Sequence, residues 1–112
     1  MVKETYIPDK GDIIWINFNP QAGKEQSGHR PALVLSHKIY NQKVGLAILC
    51  PITSKEKGYP FEVKIHSKEI NGVVLSDHVK SLDWKERNAK FITKVSPAVI
   101  STVINIFKTI IE

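Results

Sequence analysis

The segment Asn19-Pro-Gln-Ala-Gly-Lys-Glu-Gln-Ser-Gly-His-Arg-Pro31 gathers Lys24, Glu25, His29 and Arg30 within one polar stretch, with Pro20, Gly23 and Gly28 as punctuation. A loop of this length in a small domain is functional or disordered. Ionisable groups packed this densely need either solvent or a ligand. Histidine titrates near neutrality and can take or give a proton. The planar arginine fork matches two oxygens of an oxyanion at once, which an ammonium cannot. Thr53 closes an apolar run that begins at Gly45 and offers a short hydroxyl donor. Cys50, the one cysteine, lies inside that run. With no activating His or Lys beside it, it reads as a buried structural thiol.

These residues must be held by short strands. Residues 11–18 (Gly11-Asp-Ile-Ile-Trp-Ile-Asn-Phe18) alternate with Ile13 and Trp15 on one face and Ile14, Ile16 and Phe18 on the other. Both faces are largely apolar, which predicts a central strand with Trp15 in the core. Residues 31–36 and 45–52 are two further apolar strands bounded by Gly or Pro. Residues 61–66 alternate, so one face meets water. Asn71-Gly72 signals a hairpin turn leading into 73–77, then 79–82, and 90–95 forms a last short strand. Ser96-Pro97 fits a helix cap followed by proline at the first helical position. Val99, Ile100, Val103, Phe107, Ile110 and Ile111 then recur at helical spacing, so a C-terminal helix covers the sheet. This set is mainly β with α, and closes most simply into a small SH3-like barrel with the helix outside.

The 112 residues suggest a single domain, 1–112, small enough for oligomerisation to help its stability. The 16 Lys+Arg against 11 Asp+Glu give a formal charge of +5, which suits an anionic partner or simply solubility. No apolar stretch reaches bilayer-spanning length and the first residues lack a signal-peptide core, which predicts a cytoplasmic protein without membrane contact. His37 and His66 have no second ligand at metal spacing, so no metal or other cofactor is expected.

Five stretches, in order, make the chain resemble the MazF/PemK family of toxin endoribonucleases, nearest its MazF branch. They are Pro8-Asp-Lys-Gly-Asp-Ile-Ile-Trp15, Gly28-His-Arg-Pro-Ala-Leu-Val-Leu-Ser36, Pro51-Ile-Thr53, Gly58-Tyr-Pro-Phe61 and Val74-Leu-Ser-Asp-His-Val-Lys-Ser-Leu-Asp-Trp84. The resemblance implies a CcdB/PemK-like barrel working as a homodimer. It also implies sequence-specific, metal-independent cleavage of single-stranded mRNA, and a MazE-type antitoxin whose acidic tail lies across the basic groove. Such cleavage requires a 2′-hydroxyl to lose a proton and attack the adjacent phosphorus. A cation must meet the oxygens that gain charge, and the departing 5′-oxygen must be protonated.

Arg30 and Thr53 match family positions used for catalysis. Glu25 matches an implicated acidic loop position, as a base or a solvated carboxylate. His29 is either acid/base or a structural support for Arg30. Lys24, Lys57, Lys80, Asp77, His78 and Tyr59 are the remaining RNA-binding candidates; Lys55, Lys85 and Arg87 are further basic candidates for tracking phosphates. Where the nearest family pattern has glutamine, this chain has His78, so the recognised RNA sequence does not transfer. Trp15 and Trp84 could stack bases, but Trp15 on its apolar strand reads as core and Trp84 as core or dimer interface, which leaves Tyr59 as the better stacking candidate. Two rivals stand beside the nuclease: a CcdB-like toxin that binds DNA gyrase, and a non-catalytic RNA-binding barrel. Neither needs the Arg30–Thr53 pair.

Overall fold

The computed structural model describes residues 5–20, 23 and 28–112. Seven strands and two helices follow in the order β1 (Asp12–Asn17), β2 (His29–Val34), α1 (Lys38–Val44), β3 (Ala47–Thr53), β4 (Glu62–His66), β5 (Asn71–Leu75), β6 (Lys80–Leu82), β7 (Lys90–Lys94) and α2 (Pro97–Ile111). All strand pairings are antiparallel, in the order β4-β5-β3-β2-β1-β7, with β6 also paired to β3. The chain is therefore mainly β, a strongly curled sheet with a C-terminal helix, and β1 is central as its two apolar faces required.

Period-two alternation divides the core between the two faces of the sheet. Ile14, Ile16, Phe18, Ala32, Val34, Ala47 and Leu49 pack with Leu82 and Trp84 on one face. Ile13, Leu33, Cys50 and Ile52 pack with Ile65, Val74 and Val103 of α2 on the other. Trp84 is thus core, and its indole N–H donates to the Asn41 carbonyl at 2.9 Å.

Strand β3 carries the bend. Its first part pairs with β6 and β2, and its end pairs with β5 through Ile52↔Val74 and Thr53↔Val73. Gly72 makes this close approach possible, because a Cβ there would stand 2.6 Å from the Thr53 carbonyl oxygen.

Three expectations are corrected here, and one helix was not foreseen. Asn71-Gly72 is not the hairpin turn; it opens β5, with Asn71 opposite His66. The turn is Ser67–Ile70, closed by Ser67 N–H donating to Ile70 O and Ile70 N–H donating to Ser67 Oγ. Side-chain hydroxyl chemistry outweighed the Asn-Gly preference here. Trp15 is not core but 41% exposed. Helix α2 covers Ile13, Leu33 and Cys50 on that face and leaves the next position open. His29 and Arg30 belong to β2 rather than to the loop. Finally, α1 had no periodic apolar face to betray it. Ile39, Tyr40 and Val44 are exposed, and the helix is anchored by buried Asn41. The Asn41 amide donates to Pro8 O and Ser36 O, and its Oδ1 accepts from Ser36 Oγ.

Helix α2 begins after Ser96, with proline in its first turn. Ser96 makes no side-chain cap bond. Ile100 and Val103 are buried, but Ile110 and Ile111, placed on the covered face by their spacing, are exposed.

Candidate active site

Antiparallel register builds the site. Strands β2 and β3 pair Val34↔Leu49, Leu33↔Cys50 and Ala32↔Pro51, and Arg30 and Thr53 each lie two residues beyond the last of these pairs. Opposed residues share a face, as do residues two apart along a strand, so Arg30 and Thr53 both fall on the face of the Ala32–Pro51 pair. The two side chains accordingly line two adjoining cavities in common. One, of about 420 Å³, has walls from His29, Arg30, Pro31, Thr53 and Asn71. The other, of about 560 Å³, is lined by Arg30, Thr53, Lys55, Lys57, Tyr59, Phe61, Glu62, Asp77 and His78.

The hydroxyl of Thr53 is oriented by its own strand end, where Lys55 N–H donates to Oγ1 at 3.2 Å. A hydroxyl that accepts a backbone proton retains its own hydrogen for donation. The cationic wall is shaped by Glu62. Its carboxylate accepts from Lys57 N–H at 3.1 Å and Gly58 N–H at 2.9 Å, and it fixes the turn that carries Lys57 and Tyr59. Tyr59 is exposed and packs on Phe61 with ring centroids 5.3 Å apart.

At the far wall, Asp77 Oδ2 stands 3.8 Å from His78 Nε2. Asp77 Oδ1 and the neighbouring Ser76 Oγ are buried and have no hydrogen-bond partner among the described residues. A buried acceptor without a donor costs about 1–3 kcal/mol. Burial, followed by the Asp77 charge, pushes the Cys50 thiol up to about 12. It is therefore protonated and inert at neutral pH, in line with a structural role.

The base of the loop before His29 is clamped. Phe18 N–H donates to Gly28 O, and Gly28 N–H donates to Asn19 Oδ1 at 2.9 Å. Gly28 has φ +74°, a conformation that favours glycine. Arg87 Nη1 donates to Asn17 O and Asn19 O at 3.1 and 2.8 Å, so this arginine is spent on holding the loop.

The site therefore unites Arg30, Thr53, His29, Lys57, Tyr59, Asp77 and His78 of the sequence candidates, along with Lys55. Lys80 sits on β6 opposite Leu49, outside the described walls of both cavities. Lys24 and Glu25 lie outside the described residues. Among the described residues no group of three or more His, Cys, Asp or Glu is placed to hold a metal ion. Sequence reasoning missed Glu62 and Asn71. The first read as an ordinary strand carboxylate, and the second was absorbed into a supposed turn. A carboxylate following Gly58 was the available sign for Glu62.

The family profile described as PemK-like, MazF-like toxin of type II toxin-antitoxin system matches residues 9–111. The chain belongs to this toxin family. It is 50% identical over 92 residues to the Escherichia coli K12 endoribonuclease toxin MazF, covering 82% of this chain and 83% of the relative. Its fold superposes on the crystal structure of MazF from Deinococcus radiodurans with a TM-score of 0.92 at 46% identity, over 96% of this chain and 98% of that one. A MazE–MazF complex from the same organism matches with a TM-score of 0.86 at 46% identity, over 96% and 97% of the two chains. Membership in the MazF-like toxins favours the nuclease reading over the gyrase-binding one, which the shared barrel alone does not separate. Among the described residues no helix is long and apolar enough to cross a membrane.

Proposed function

We propose that this protein is an endoribonuclease toxin whose cleft cuts single-stranded mRNA with Arg30 and Thr53 as its catalytic pair. The observation that carries the reading is that these two side chains form the wall common to both cavities. A phosphodiester seated there has a forked cation and a hydroxyl donor on its non-bridging oxygens, and a cavity on each side for the flanking nucleotides. As the 2′-oxygen attacks phosphorus and charge builds on those oxygens, Arg30 gains more than in the ground state, which is what acceleration requires. Free guanidinium has a pKa above about 12, so Arg30 stabilises charge rather than shuttling protons. His29 on one side and His78 beside Asp77 on the other are the proton-transfer candidates in the described walls, with Glu25 as the loop candidate. Lys57, Lys55 and, from the loop, Lys24 meet flanking phosphates. Tyr59 and Asp77, which line the same cavity, meet bases.

A MazE-type antitoxin is the partner, as the Deinococcus complex indicates for its own MazF. An acidic antitoxin segment would compete with RNA for Arg30, Lys55 and Lys57. The protein works in the cytoplasm as a homodimer. The exposed Ile110 and Ile111 at the end of α2 supply apolar surface suited to a second copy.

The test is to incubate purified protein with a long RNA and map the 5′ ends of the fragments. Fragments with 5′-hydroxyl ends at a recurring sequence, formed in EDTA and lost with Arg30→Ala, are expected. Undiminished cleavage by a folded Arg30→Ala variant ends the assignment.

A further inference from the structure

Trp15 is the large side chain whose position the packing logic does not explain. It sits mid-strand in central β1, yet 41% of it is open to solvent. Register places it directly between Lys90 of β7 and Pro31 of β2. Opposed residues share a face, so Lys90, Trp15 and Pro31 form a row across the sheet. Pro31 is itself a wall of the smaller cavity, next to Arg30 and Thr53. His29, another wall of that cavity, lies nearly parallel to the indole, with ring centroids 6.3 Å apart at 17°. By register Trp15 faces away from the Arg30 side of the sheet, and His29, which lines the smaller cavity and lies nearly parallel to the indole, is the link between the two, with Lys90 beside Trp15 on β7.

We propose that Trp15, extended by His29, is a stacking platform for a nucleobase outside the cleaved dinucleotide, with Lys90 neutralising the phosphate beside it. The platform rests on the reading that the cleft binds RNA. Trp15 lies two strands over from Thr53, about 10 Å between backbones at the usual strand spacing, and an RNA strand leaving the smaller cavity reaches it past His29. Stacking on an aromatic ring tolerates any base, because every base offers a π-face. The platform therefore adds affinity and fixes the strand's path without adding sequence preference. The occupant is a single-stranded nucleic acid rather than an acidic peptide, because a flat indole beside a parallel imidazole matches a base and one lysine matches one phosphate.

The probe is a single-stranded RNA containing the mapped cut site, with a 2′-deoxy sugar at the cleaved position so that it binds without being cut. Indole emission reports on Trp15, while Trp84 is buried and serves as an internal reference. Saturable quenching is expected in the unaltered protein. Trp15→Leu should lose the quench and bind about 5- to 100-fold more weakly, with KM rising far more than kcat falls. Trp15→Phe should recover much of the affinity, and Lys90→Gln should reduce the salt slope by about 0.7. A folded Trp15→Leu variant with undiminished RNA affinity overturns the platform while leaving the catalytic pair standing. Conversion of a dimer to a monomer by Trp15→Leu overturns it in favour of a subunit contact. If the unaltered protein neither binds nor cuts RNA, the underlying function falls, and the platform with it.

Discussion

Replacing Gly72 by alanine adds one methyl group at the closest approach of β5 to the site. That carbon would stand 2.6 Å from the Thr53 carbonyl oxygen, 3.2 Å from its carbonyl carbon and 3.3 Å from Ile52 Cγ2. Two of the three obstacles are backbone and cannot swing aside. Reaching ordinary contact at 3.4 Å requires a separation of about 0.8 Å between β5 and the end of β3. Gly72 is not at positive φ, so the effect is steric contact rather than backbone strain. Overpacking of this kind costs about 1–3 kcal/mol of stability, which leaves a folded protein. A catalytic group displaced by roughly 1 Å can cost about 100-fold in rate, so Gly72→Ala is expected to lower kcat by about that factor. Steady-state cleavage of an end-labelled RNA, with a thermal melt alongside, measures both quantities. The double variant Gly72→Ala/Thr53→Val should be little slower than Thr53→Val alone, because both changes remove the same hydroxyl contribution. A stable Gly72→Ala protein with full kcat, or strictly additive losses in the double variant, refutes the argument.

RNA cleavage at sub-saturating substrate should fall with salt. Arg30, Lys55 and Lys57 on three phosphates give a logarithmic slope near −2, or about a 20-fold loss between 50 and 200 mM; a flat response refutes phosphate tracking. Cys50 should resist aromatic disulfide reagents in the native protein and react on unfolding, as absorbance will record. Its thiol pKa is raised to about 12 in the fold, against about 8.5 when unfolded. Its contribution is therefore intact below pH ~8.5 and lost as pH climbs toward 12. Melting temperatures should drop over that window less steeply in Cys50→Ala than in the unaltered chain.

The strands were legible because their residues alternate between two buried faces, and Ile13, Ile14 and Ile16 spell this out directly. Helix α2 was legible from its spacing, although that spacing could not reveal that Ile110 and Ile111 lack a cover within this chain. Helix α1 was not legible, since a buried asparagine gripping Pro8 and Ser36 leaves no hydrophobic period. Trp15 misled because residue type indicates what a side chain prefers, whereas exposure depends on how far α2 reaches along the sheet. In the site, Arg30 and Thr53 were recognisable from family pattern alone; their juxtaposition comes from a β2–β3 register that no local signal specifies. Glu62 acts through backbone N–H groups of a turn, a role invisible until the turn exists.

Strand β3 exchanges a neighbour along its length, from β6 at Ala47–Leu49 to β5 at Ile52 and Thr53, while β2 pairs with it as far as Pro51. Arg30 is held by β2 and Thr53 by the segment that pairs with β5, while Tyr59, Phe61 and Glu62 are delivered by the arm that follows β3. Substitutions at Tyr59 or Phe61, outside the β3–β5 pairing, are therefore expected to alter the cleft wall while leaving the Arg30–Thr53 spacing in place.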